Sequence, residues 1–173
     1  MKYTVKFFAF FIFASVTLFA QNDSLITFSE IMFKPNASNS EFIELYNASP
    51  AEAIDLAGFK IKYYTSSPDN IIDAGNGTVL QPESYAVIFE GDYDFATGIY
   101  NGLIGPNALV LIIDNNAFGS SGMSNSSDRI VRLFNAADDS LDARTYTANN
   151  GSGVSDEKII MNKATPTAIG LIR

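Results

Sequence analysis

The chain has 173 residues, 11 of them Lys or Arg and 19 Asp or Glu, with neither Cys nor His. A formal net charge of −8 argues against holding nucleic acid through its phosphates, which needs clustered cations. The missing imidazoles and thiols exclude Ser–His–Asp and Cys–His nucleophilic catalysis, zinc sites of the usual kind, and disulfide cross-links. The first twenty residues read as a cleavable signal peptide. Lys2 and Lys6 open it, and residues 7–20 form an uncharged apolar run too short for the roughly 20 residues of a membrane-spanning helix. Ala20 then meets the polar stretch Gln21-Asn22-Asp23-Ser24, which predicts cleavage after Ala20. With no Cys to carry a lipid, the processed chain is expected to be exported without a stable membrane anchor, to the periplasm, the cell surface or the medium.

Residues 21–25 read as a short linker, residues 26–161 as one domain and residues 162–173 as a tail. The domain opens with two strands, residues 26–33 and 41–47, joined by a polar loop at Pro35, Asn36, Asn39 and Ser40. Parity in the second strand puts Ile43 and Leu45 on one face and Phe42, Glu44 and Tyr46 on the other. In the first strand Ile26 and Phe28 are two apart but Ile31 follows after three, so keeping all three inward predicts a β-bulge near Ser29 and Glu30. Residues 59–64 alternate apolar Phe59, Ile61 and Tyr63 with Lys60 and Lys62, as a half-buried strand does. Residues 66–70 read as a turn cluster, Ile71-Ile72 as a short apolar patch, and residues 78–80 as a strand after Gly75-Asn76-Gly77.

Tyr85 to Phe89 is a near-continuous apolar run and predicts a central strand buried on both faces. Leu45, Ile43, Ile31, Phe59 and Val87 are the expected inward-facing set. Strands are also predicted at residues 109–113, 130–134, 141–146 and, as a possible edge, 157–161. Two long loops rich in Gly, Ser and Asn, residues 90–108 and 114–127, separate them. Short strands at spacings of about ten residues, with no helical periodicity, predict an all-β Greek-key sandwich.

An ordered series of motifs resembles the lamin tail domain, an immunoglobulin-like module of nuclear lamins and of many bacterial secreted proteins. The series is E-I-M at residues 30–32, E-F-I-E-L-Y-N at 41–47, D-L-A-G-F at 55–59 and G-T-V-L-Q-P at 77–82. It continues with the strand at 85–89, M-S-N-S-S-D-R-I-V-R-L at 123–133 and S-D-E-K-I at 155–159. The family often has Asn-Gly-Asp or Ser-Gly-Asp where this chain has Ser126-Ser127-Asp128, so a need for positive φ there would strain Ser127. The resemblance implies an immunoglobulin-like β-sandwich that mediates association rather than chemistry, beside or within a larger secreted or cell-surface protein. The end of the chain at Gly170-Leu171-Ile172-Arg173, mostly apolar, is in keeping with a fragment of such a protein.

Carboxylates are the remaining chemistry. Glu30 and Glu44, facing each other across the first hairpin, are the candidate pair for a hydrolase of the glycosidase type, while Glu41 and Glu44 differ in parity and cannot flank one bond. The plainer reading has Glu30 and Glu44 accepting hydrogen bonds at the bulge or pairing with Lys60 or Lys62. Asp92 and Asp94 with Glu90, Asp114 with Asn115 and Asn116, and Asp138, Asp139 and Asp142 are candidate calcium ligands, Asp92, Asp94 and Asp114 foremost. Tyr63, Tyr64, Tyr93 and Tyr100 are candidates for a carbohydrate-binding face, with Tyr93 and Tyr100 the expected ligand contacts. The function expected is a non-enzymatic binding or adhesion module for a protein or polysaccharide ligand. A carbohydrate-binding module and a carboxylate-dependent hydrolase are the alternatives.

Overall fold

A computed structural model describes residues 25–161, so the predicted signal peptide, its cleavage site and the tail from residue 162 lie outside the described residues. Eleven strands form: β1 (Ile26–Met32), β2 (Phe42–Asn47), β3 (Ile54–Asp55), β4 (Lys60–Tyr63), β5 (Asp69–Asp73), β6 (Val79–Leu80), β7 (Tyr85–Phe89), β8 (Leu109–Ile113), β9 (Arg129–Phe134), β10 (Ser140–Tyr146) and β11 (Asp156–Glu157). Nine of them form a ladder, β10-β9-β4-β5-β8-β7-β2-β1-β11, that folds over on itself as an immunoglobulin-like sandwich, and β3 pairs with β6 in a separate two-stranded sheet. β5 makes the corner. Its Asp69 and Asn70 pair with β4 in one layer, and its Ile71 to Asp73 pair with β8 in the other. The sequence pattern predicts a turn at residues 66–70 and an apolar patch at Ile71-Ile72, where the structure has one strand. A strand that changes layers halfway shows no sustained alternation, which is why the pattern hid it.

The predicted bulge is present: the β1–β2 register shifts between Phe28 and Glu30, and Ile26, Phe28 and Ile31 are all fully buried. A second shift lies in β10 between Ser140 and Asp142. The two irregularities meet at the open side of the sandwich, where side chains join β1 to β10. The Asp142 carboxylate accepts from the Thr27 hydroxyl at 2.6 Å and from Phe28 N–H at 3.0 Å, and Arg144 donates to the Ser29 carbonyl at 3.0 Å. Arg144 also pairs with Asp156 of β11, so one guanidinium ties the bulge to the last strand. Asp142 therefore holds β1 to β10.

Ile43 and Leu45 face the core, as parity predicts, against Phe59, Ile61, Ile88 and Leu133. Val87 does not join them. It pairs with Glu44 on the outer face of the sheet, while its neighbours Ala86 and Ile88 face inward opposite Leu45 and Ile43. An unbroken apolar run carries no parity, so the sequence showed that β7 is buried on both faces without showing which residue belongs to which. The outer face is covered by residues 90–108, an ordered strap. Tyr93 stacks on Phe89 with ring centroids 4.0 Å apart, and Met32, Phe42 and Val87 complete a second apolar cluster. Gly98 permits the close fold of the strap, since a Cβ there would lie 2.4 Å from Tyr93 Cζ.

Candidate functional site

Where the strap stops short of β1, it leaves a groove of about 290 Å³. Its floor is the outer face of β1, β2 and β7, with Glu30 and Glu44 beside Met32, Phe42 and Val87. One wall is the strap, through Tyr100, Leu103 and Ile104; the other is Gly153 and Ser155 from the turn before β11. The bulge is what places the two acids. Beyond it Glu30 becomes the direct cross-strand partner of Glu44, on the same face of the sheet.

Burial pushes both carboxyls above the ordinary carboxylate range; the Glu157 charge adds to both and the Glu30 charge to Glu44, while Arg144 partly offsets the rise of Glu30. Glu44 accepts from the Ser29 hydroxyl at 2.6 Å, and a Ser155 hydrogen bond partly offsets the effect on Glu30. Neither acid meets a lysine: Lys60 pairs with Asp138, at the far edge of the sandwich, which corrects the expected pairing with Lys60 or Lys62. A hydrolytic carboxylate pair needs its two groups pushed apart, one held protonated and one ionised. Here one cause moves both in the same direction. What the groove offers is two acids that gain by meeting a cation, set among apolar walls with Leu103 still 76% exposed.

A second carboxylate pair sits at the other end of the strap. Glu41, just before β2, turns beneath the loop of residues 114–127, and its two oxygens accept from Met123 N–H at 3.0 and 2.8 Å. Glu90 in turn accepts from Glu41 N–H at 3.0 Å. Burial drives Glu41 up to about 8 and Glu90 to about 7, with the mutual charge adding to the shift on Glu41. The approach is close: Gly122, at φ 85°, leaves room where a Cβ would come within 3.1 Å of Glu41 Oε1. In the sequence this pair is only two acids at strand ends, because the loop that buries them is distant in the chain.

The expected calcium ligands do not converge. Asp94 caps its own turn, accepting from Ala96 N–H at 2.7 Å and from Thr97. Asp114 holds β5, accepting from Asn70 N–H at 2.8 Å, and Asp92 stands at the rim near Glu90. Among the described residues no three acidic side chains gather in a way that could hold a metal ion. Tyr93 is only 5% exposed and is a packing residue whose hydroxyl accepts from Tyr100 N–H and donates to Asn101, which corrects its expected role as a ligand contact. Tyr100, half-buried, does line the groove. Tyr63 turns its hydroxyl inward to Ser124 N–H at 2.8 Å, and Tyr64 is exposed. The four tyrosines thus serve three separate places.

A family model of the Lamin Tail Domain matches residues 20–148. The chain belongs to the lamin tail domain family. No curated protein matches it. The family is an immunoglobulin-like, non-catalytic one, and this lamin tail domain keeps the sandwich from β1 to β10 within the matched stretch. The Ser127 departure causes no strain. Ser127 avoids positive φ, and the Ser124 hydroxyl accepts from its N–H at 3.1 Å to close the turn. β11 and the groove wall at Gly153 and Ser155 lie beyond the matched residues, so the match does not reach the S-D-E-K-I motif at 155–159 or that side of the groove.

Proposed function

We propose that this lamin tail domain is an exported, non-enzymatic binding and adhesion module, alone or as part of a larger secreted or cell-surface protein. Its ligand surface is the groove over Glu30 and Glu44. The observation that carries the reading is their placement: two partly buried acids, side by side, neither in an ion pair of its own because the nearby Arg144 pairs with Asp156, under walls of Tyr100, Leu103 and Ile104. That combination fits a polypeptide segment presenting a Lys or Arg next to an apolar side chain. The cation relieves the acid–acid repulsion, and the apolar neighbour covers Leu103. The hydrolase reading shares the same two residues, but their parallel shifts disfavour a division into acid and nucleophile.

Calorimetric titration tests this. A short peptide with sequence Leu-Lys-Leu is expected to bind, and the same peptide with Glu in place of Lys is not. The double variant Glu30→Gln/Glu44→Gln should lose most of the affinity, about tenfold or more, the scale of one charge-assisted contact. Equal binding of both peptides, or cleavage of a glycan or phosphoester that the double variant abolishes, would overturn the reading.

Export rests on the apolar run and the polarity change at Ala20. The intact mass of the protein recovered from the medium or periplasm should correspond to a chain starting at Gln21. A secreted species that retains Met1 would contradict the assignment.

A further inference from the structure

We infer a second binding site, for a carboxylated sugar such as a uronate unit of an acidic polysaccharide, in the cleft between the end of β4 and the loop before β9. The cleft is open, about 600 Å³, and holds Tyr64, Ser66, Ser121, Ser124 and Arg129 among its lining. Three independent features point to this ligand class.

The first is charge. The chain carries 19 acidic residues against 11 basic, and the grooves over Glu30 and Glu44 and beside Glu41 and Glu90 are both acidic. No Asp or Glu lines this cleft, while Arg129 does. Among the described residues Arg129 makes no ion pair; it donates only to the neighbouring Asp128 carbonyl, and the Asp128 carboxylate is turned away to Ala148 N–H. An anion entering here meets a cation with unused donors, in the fork geometry that a carboxylate accepts.

The second is the aromatic. Tyr64 holds a left-handed backbone, φ 46°, with its N–H bonded to the Ile130 carbonyl at 2.8 Å, and remains 43% exposed. A tyrosine rarely adopts that conformation, and here it places the ring at the cleft mouth instead of in the core. The Arg129 guanidinium lies 4.4 Å from the ring centroid, which fixes the cation relative to the aromatic surface. A pyranose presents both an apolar C–H face and, in a uronate, a carboxylate at its edge; ring and guanidinium match the two.

The third is rigidity. The floor at Met123 and Ser124 is fixed from below. Glu41 takes Met123 N–H, the Tyr63 hydroxyl takes Ser124 N–H at 2.8 Å, and the Tyr146 hydroxyl donates to the Ser124 carbonyl at 3.0 Å. Above that floor the Ser66 hydroxyl donates to the Tyr63 carbonyl and the Ser124 hydroxyl accepts from Ser126 and Ser127 N–H, which leaves Ser66 as an acceptor and Ser124 as a donor for sugar hydroxyls on a preorganised surface and lowers the entropic cost of binding.

The test is titration of the full domain, followed by amide chemical shifts, with three probes: trigalacturonate, maltotriose and triglutamate. Trigalacturonate is expected to bind saturably with Kd in the range of about 1 mM or tighter, shifting Tyr64, Ser121, Ser124 and Arg129, and the other two probes are expected not to. Arg129→Gln and Tyr64→Asn should each weaken binding by about tenfold, Asn being chosen because it tolerates the left-handed backbone. Glu44→Gln, in the other groove, should leave it unchanged. Maltotriose binding as well would remove the role of the carboxylate, and triglutamate binding as well would reduce the site to charge alone. Shifts mapping elsewhere, or no saturation by roughly 10 mM, would overturn the proposal even if a variant failed to fold.

Discussion

Leu45→Ala is expected to lower the unfolding free energy by about 2–5 kcal/mol. Leu45 is fully buried, pairs across the sheet with Phe28 on one side and Ala86 on the other, and belongs to the cluster that fills the space between the two layers. Truncation removes several buried methyl and methylene groups and leaves a cavity whose neighbours are held by ladders on both sides, so the site collapses little. Ala86 opposite is already small and cannot fill the space. Denaturant midpoints at constant slope give the measurement. A loss below about 1 kcal/mol would mean that Leu45 does not face the core and that the parity of β2 is reversed.

Stability should fall as the pH rises from about 4.5 to about 8. In the unfolded chain Glu41 and Glu90 lose their protons near the ordinary value of 4.5, whereas in the fold Glu41 keeps its proton up to about 8 and Glu90 to about 7. Across that window the native state binds more protons than the unfolded one, so the free energy of unfolding decreases with pH and levels off once both are ionised. Glu30, Glu44 and Asp69, also raised by burial, act in the same direction. Exposed Asp73 and Asp94 are lowered by their turn hydrogen bonds and act oppositely, losing their contribution as the pH drops below 3.8. The maximum is therefore expected at about pH 4–5. A tenfold change in proton affinity is worth about 1.4 kcal/mol, so shifts of this size in two groups make the fall to pH 8 several kcal/mol. Chemical denaturation at several pH values checks it. Glu41→Gln, which keeps an acceptor for Met123 N–H, should flatten the curve, and a stability that rises from pH 5 to 8 would contradict the buried, hydrogen-bonded placement of Glu41.

What the sequence revealed, it revealed through period. The three-residue step from Phe28 to Ile31 is visible in the chain and could mean only an extra residue in a strand, and the alternation around Ile43 and Leu45 fixes their face. Where period fails, so does the reading. Val87 sits in an unbroken apolar run, and β5 spends two residues in one layer and three in the other. The polar side chains were legible only as types. Asp94 and Asp114 have the composition of ion ligands, yet their oxygens are occupied by turn and strand N–H groups whose positions depend on the chain path. Tyr93 reads as a loop residue, and becomes a core residue because the strap folds over Phe89. The pairing of Glu30 with Glu44 was legible in the hairpin, but the roof that makes it a groove comes from residues 100–108 and 153–155, far along the chain.

The most direct measurement of where this domain recognises its ligand is amide shift mapping of the isotope-labelled protein during titration with the Leu-Lys-Leu peptide. The groove predicts perturbations at Glu30, Phe42, Glu44, Tyr100, Leu103 and Ser155, which the Glu30→Gln/Glu44→Gln variant loses while its melting temperature remains at or above that of the wild type. Perturbations confined to residues outside the groove, or unchanged in the double variant, would contradict the assignment of Glu30 and Glu44 as a binding pair.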